Sequence, residues 1–109
     1  LVQMAEGSSV GIELWASKIP IYEGAIDLLN NGIFEPGITM NQNSFGDRVD
    51  IKGVDTYHSS IIFGSETSGG LVVVLPEGKV DLFLERYQKP AWEIGRVTAE
   101  SPNQVITKP

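Results

Sequence analysis

The sequence predicts an α+β domain, a mixed β-sheet with helices packed on it. Two observations carry this reading. Segments with an apolar period of two interleave along the chain with segments of helical period, and one run, "GLVVVL", is apolar without alternation, as a central strand covered on both faces would be.

Taken in order, "LVQMAEG" reads as the end of a helix that starts before Leu1, so residues 1–109 are expected to form one domain of a longer chain. "SSVGIELWAS" sets Val10, Ile12 and Leu14 against Gly11, Glu13 and Trp15, the pattern of a half-buried strand. In "IPIYEGAIDLLNNG", Ile21, Ala25, Leu28 and Leu29 share one helical face, and Asn31-Gly32 supplies the stop. The stretch from Phe34 to Asp47, "FEPGITMNQNSFGD", is rich in Gly, Asn, Pro and Ser and reads as a long ordered loop.

"RVDIKG" is a short strand, and "VDTYHSSIIFG" a short helix with Asp55 as its N-cap and Gly64 at its end. "GLVVVL" follows as the central strand. "PEGKVDLFLERYQK" is the clearest helix, with Val80, Phe83, Leu84 and Tyr87 on one face and Pro90 as its terminator. "WEIGRVTAESPNQVITK" reads as two strands joined at Ser101-Pro102-Asn103.

Composition sets the scale and removes several classes of function. A chain of 109 residues, 41% hydrophobic and 20% charged, supports a single core, burying roughly 60–70% of the surface its unfolded form exposes. Cysteine is absent, which excludes disulfides, thiolate metal sites and a cysteine nucleophile, and fits a cytoplasmic setting. A net charge of −6 without a basic cluster opposes binding to nucleic acid. No apolar run approaches the roughly 20 residues that cross a bilayer, and no membrane partner is expected.

The glycine-crowded stretch "GSETSGG", Gly64 to Gly70, invites comparison with phosphate-binding loops. Such loops leave a strand and open a helix, because the helix N-terminus supplies aligned N–H donors. Here the glycines leave a helix and open a strand, and their spacing matches neither the Walker nor the dinucleotide pattern. One reading is a helix-to-strand turn in which Gly69 and Gly70 take positive φ. The other places the Thr67 and Ser68 hydroxyls beside bare backbone at the mouth of a cleft.

"ETSGGLVVVLPEGKVDLFLERY" resembles the "TSGGLL" strand-and-helix segment in the C-terminal half of selenophosphate synthetases (selenide, water dikinases). "MAEGSSVGIELWASKIPIYEGAIDLLNNGIFEPG", "NQNSFGDRV" and "WEIGRVT" are similar to further segments of that family in the same order, so the match covers nearly all of residues 4–98. The wider superfamily includes aminoimidazole ribonucleotide synthetase, whose C-terminal-domain fold the resemblance implies. Departures are visible: Gly64-Ser65-Glu66 stand where the family has Asp-Pro-Gln, Gly37-Ile38 replaces a double glycine, and the loop before Asn41 is one residue short.

The resemblance implies a parent that transfers phosphate from ATP to selenide, with magnesium, giving selenophosphate, AMP and phosphate. It implies an N-terminal ATP-binding half as partner and a homodimer of the whole. The family's reactive Cys or selenocysteine, its Lys and its magnesium-binding Asp residues match nothing in this chain, so no catalytic residue is assigned and no turnover is expected from it alone. Thr67, Ser68, Gly69, Gly70 and Asn41 match the family residue for residue and are the candidate nucleotide-cleft positions. For Asn41 the competing reading is an asparagine capping its own loop.

Other residues weigh toward structure. His58, the only histidine, reads as a surface residue without a carboxylate or second histidine close by. Asp47, Asp50 and Asp55 match no calcium loop and read as solvated charges. Trp15 and Trp92 sit in strand-like runs and suit a core or an interface better than base stacking. Two alternatives to an enzyme domain share the same residues: a freestanding binding or interaction module, and a structural oligomerisation domain.

Overall fold

The computed structural model describes residues 1–109. The chain runs α1 (Val2–Ser8), β1 (Gly11–Trp15), α2 (Ala25–Asn30), α3 (Pro36–Phe45), β2 (Val49–Ile51), α4 (Thr56–Ile62), α5 (Val80–Arg86), β3 (Gly95–Thr98) and β4 (Val105–Lys108). The four strands form one mixed sheet in the order β2-β4-β1-β3. β1 pairs antiparallel with β3 and parallel with β4, which in turn pairs parallel with β2. The expected α+β architecture is therefore the one observed.

Register explains which face is covered. Ile12 lies opposite Val97 and Val105, Leu14 opposite Gly95 and Thr107, and Val49 and Ile51 opposite Val105 and Thr107. These side chains share one face, because strand residues alternate sides. Val2 and Ala5 of α1 pack there against Ile12, Leu14 and Val105, with Phe45 and Ile62 at the margin. Leu29, Ile38 and Phe63 extend the core over Val49 and Ile51. Four helices thus cover a single face of the sheet.

The opposite face is polar. The Glu13 carboxylate sits at its centre, paired with Lys108 of β4 and with Arg96 of β3 at 3.3 Å, and accepts the Trp15 indole N–H at 2.9 Å. The Lys108 bond, then the indole bond, draw its pKa from the usual 4.5 to about 2. Gly95 permits the β1–β3 approach, since a Cβ there would overlap the Glu13 carbonyl oxygen.

The expected short strand and the helices around residues 25–30, 56–62 and 80–86 are present, and α1 occupies the expected N-terminal helix. Asp55 caps α4 by accepting from the Tyr57 and His58 amides, and Gly32 follows α2 with φ 75°. Two expectations change. Residues 36–45 are not a loop but α3, with Pro36 in its first turn and the Glu35 carboxylate capping the Gly37 amide. Ile38 and Phe45 are its inward anchors, and the Gly, Asn and Ser content masked so sparse an apolar stripe.

The last two strands are present and joined through Ser101-Pro102-Asn103 as expected, and β1 lies between them in the sheet. The turn swings back under β1 through Ser101 and Asn103, both with positive φ, and the Asn103 amide donates to the Val10 carbonyl at 2.9 Å. Leu71–Leu75 is not a covered central strand. None of its backbone groups bonds to another backbone group, and Leu71 is 93% exposed with Val73 and Val74 each at 54%. β-branched residues form a strand only when another strand supplies ladder partners, and here Val74 instead borders an apolar groove with Met4, Val10, Ile12 and Val97. α5 follows it without a buried residue, its Phe83 and Tyr87 rings stacked at 5.2 Å.

Two outcomes are expected. Thr107 is fully buried between Leu14 and Ile51 and its hydroxyl has no hydrogen-bond partner. T107V keeps the shape and removes that desolvated group, so calorimetry should show stabilisation by about 1 kcal/mol, or roughly 4 °C in Tm. A fall in Tm would mean that the hydroxyl is satisfied. Because Glu13 has its pKa lowered on folding, its contribution is complete above about 4.5 and is lost as pH falls toward about 2. E13Q should therefore be less stable than the parent chain at pH 7, with the difference closing across that acid window in urea titrations.

Candidate functional site

The candidate residues converge on the loop that leaves α4. Thr67, Ser68, Gly69 and Gly70 form an exposed turn beyond Phe63, the buried residue that closes that helix. Neither Gly69 nor Gly70 has positive φ, so the expected turn geometry does not hold. The bend is made by hydrogen bonds: the Thr67 amide to the Ser65 carbonyl at 2.7 Å, and the Gly69 amide to the Glu66 carbonyl at 3.2 Å. The Thr67 hydroxyl also donates to the Ser65 carbonyl, at 3.2 Å.

Asn41 is neither a loop residue nor a cap of its own segment. It lies on α3, on the stripe of Ile38 and Phe45, and its side-chain amide donates to the Phe63 carbonyl at 2.8 Å. That bond ties α3 to the end of α4, one residue before the glycine loop. Asn41 thus braces the backbone that leads into the loop and makes no bond to Thr67–Gly70 itself.

Glu35 was not among the candidates, although it holds the same stretch of backbone. Its Oε1 accepts the Gly37 amide at 2.7 Å and the Ser65 hydroxyl at 2.8 Å, and its Oε2 accepts the Ser65 amide at 3.2 Å. The Ser65 hydroxyl, followed by the Gly37 amide, pulls its pKa below the ordinary glutamate value. Gly37 is needed for the approach, because a Cβ would overlap the Ser65 side chain. The local signal was Glu35-Pro36, a capping carboxylate before a first-turn proline. Its second partner, thirty residues on, left no trace in spacing.

His58 differs from its expectation. Asp55, three residues ahead of it, is a carboxylate neighbour, and His58 Nδ1 lies 2.5 Å from Asp55 Oδ2. Asp55 has its pKa lowered, first by the His58 backbone amide. The pair borders a hollow of about 110 Å³ with Ala16, Ser17 and Pro109, at the other end of α4 from the glycine loop. Asp47 and Asp50 are engaged elsewhere, with Arg48 at 3.1 Å and Lys52 at 2.9 Å. Trp15 bonds Glu13, whereas Trp92 is exposed outside any strand.

The arrangement is a one-sided mixed sheet with an exposed glycine-rich loop whose upstream backbone is held from a neighbouring helix. Residues 1–108 match the family model described as AIR synthase related protein, C-terminal domain, and the chain belongs to that family. Among curated relatives it is 30% identical over 110 residues to a selenide, water dikinase of Clostridium botulinum (strain Alaska E43 / Type E3), covering 97% of this chain and 32% of the relative. A selenide, water dikinase of Nitratidesulfovibrio vulgaris (strain DP4) is 28% identical over 115 residues, covering 100% of this chain and 33% of the relative. A selenide, water dikinase 2 of Peptoclostridium acidaminophilum is 29% identical, covering 95% and 31%. The chain thus spans about a third of the length of these relatives, in agreement with a C-terminal-domain match.

If Asn41 acts as a brace, N41A should lower stability by about 1 kcal/mol, or roughly 4 °C in Tm, through loss of one half-buried hydrogen bond. An unchanged Tm would overturn the bracing role of Asn41.

Proposed function

We propose that residues 1–109 are the C-terminal domain of a selenophosphate-synthetase-like, ATP-dependent phosphotransferase. The parent would convert ATP, selenide and water to selenophosphate, AMP and phosphate. The observation that carries this reading is the nearly end-to-end match to proteins named selenide, water dikinase.

On this reading the Thr67–Gly70 loop lines the cleft between this domain and the ATP-binding N-terminal half. ATP, when bound, supplies the phosphoryl group; the loop's part is to offer neutral hydrogen-bond donors and to hold the cleft wall in place. No Lys or Arg occurs between Gly64 and Leu75, so this wall cannot neutralise phosphate charge. The carboxylates Asp47, Asp50 and Asp55 fit magnesium poorly, since each is paired with its own basic neighbour. Magnesium and phosphate binding then fall outside these residues, mainly to the N-terminal half, and this domain has no turnover alone, because phosphoryl transfer needs several aligned cations and positioning groups. A cytoplasmic homodimer is the assembly that accompanies the proposal.

Expression of the complete reading frame tests it. With magnesium, ATP and selenide the full-length protein should form AMP and a selenophosphate signal by phosphorus NMR, while residues 1–109 alone form neither. ATP turnover that ignores selenide, or selenophosphate formed by residues 1–109 alone, would overturn the assignment.

A further inference from the structure

We propose that Glu35 is the positioning residue of the glycine loop, its carboxylate clasping Ser65 through both hydroxyl and amide so that Thr67 and Ser68 stand where they do. What the loop serves rests on the function proposed above; the clasp itself rests on geometry. Both Glu35 oxygens are used, Oε1 on the Gly37 amide and the Ser65 hydroxyl, Oε2 on the Ser65 amide alone. An N-cap needs only the first of these bonds. The second oxygen has no part in α3, and its sole partner is the loop.

The orientation is handed on from there. Ser65, once held, offers its carbonyl to both the amide and the hydroxyl of Thr67. Beyond Gly69 the chain makes no backbone hydrogen bond until the Pro76 carbonyl accepts from Lys79 at 2.8 Å. The loop is therefore anchored from its upstream side only, at Phe63 by Asn41 and at Ser65 by Glu35. Asn41 lies within α3 and Glu35 is its N-cap, and Gly37 leaves the space that the Glu35–Ser65 contact needs. Ser65 provides both the N–H and the O–H that the clasp requires.

E35D separates the clasp from simple capping. Aspartate still caps the Gly37 amide but is one methylene too short to reach Ser65. Amide exchange of the 109-residue chain, read residue by residue by NMR, should show Ser65, Thr67 and Gly69 exchanging roughly 10-fold faster in E35D, with α3 and β1 unaffected. S65A, a milder change, should accelerate the same amides less, and E35D/S65A should be no faster than E35D alone. Unchanged loop exchange in E35D, acceleration spread evenly over the chain, or fully additive single variants would overturn the clasp. In the full-length protein E35D should also raise the KM for ATP. If the loop amides accelerate while that KM stays constant, the clasp stands and the nucleotide-facing role of the loop falls.

Discussion

The covered face of β1 is the constraint on which the rest of the molecule depends. Ile12 and Leu14 are buried at 5% and 3% in the middle of the core, and β1 is the strand that pairs with both β3 and β4. Each inward side chain removed from water supplies the apolar stabilisation that must offset the entropy of ordering the chain around it. Because four helices share that one face, the other is left to charge pairing around Glu13. The sheet is asymmetric in chemistry as well as in packing.

That asymmetry locates the loop. α3 and α4 lie over the β2 side of the core through Ile38 and Phe63, and the chain emerges between them at Gly64. Two polar side chains on or beside α3, Asn41 and Glu35, then hold the emerging backbone. The loop's position is thereby coupled to the core through α3 rather than through the strand that might have followed it. Arg48 adds a peripheral link at the C-terminal end of α3, bonding Glu6 of α1 at 2.7 Å and lying over the Phe45 ring.

Downstream of the loop the balance changes. Leu71–Leu75 and the face of α5 leave a large apolar area in water, alongside the groove between α1 and β3. Isolated exposed apolar residues are ordinary, but a contiguous run of this kind marks a surface that is normally covered. The loop and the apolar run are consecutive, so whatever closes over one lies close to the other.

Periodicity alone determined the elements whose side chains carry a dense pattern. The alternation of Ile12 and Leu14, the helical faces around Leu29 and Phe83, and the cap at Asp55 are local facts, and local physics suffices to read them. The place of the Gly64–Gly70 stretch after a helix was legible in the same way, whereas Thr67-Ser68-Gly69-Gly70 stood out as a motif only through the family resemblance. Tertiary structure decided the rest, because the partners lie far apart in sequence. α3 exists through two apolar anchors seven residues apart and a proline start, too sparse a stripe to outweigh Gly, Asn and Ser. The three valines of "LVVVL" had the composition of a strand but found no ladder to join. The Glu35–Ser65 clasp joins residues thirty apart, and only the folded sheet, by setting α3 beside the end of α4, brings that carboxylate to that serine.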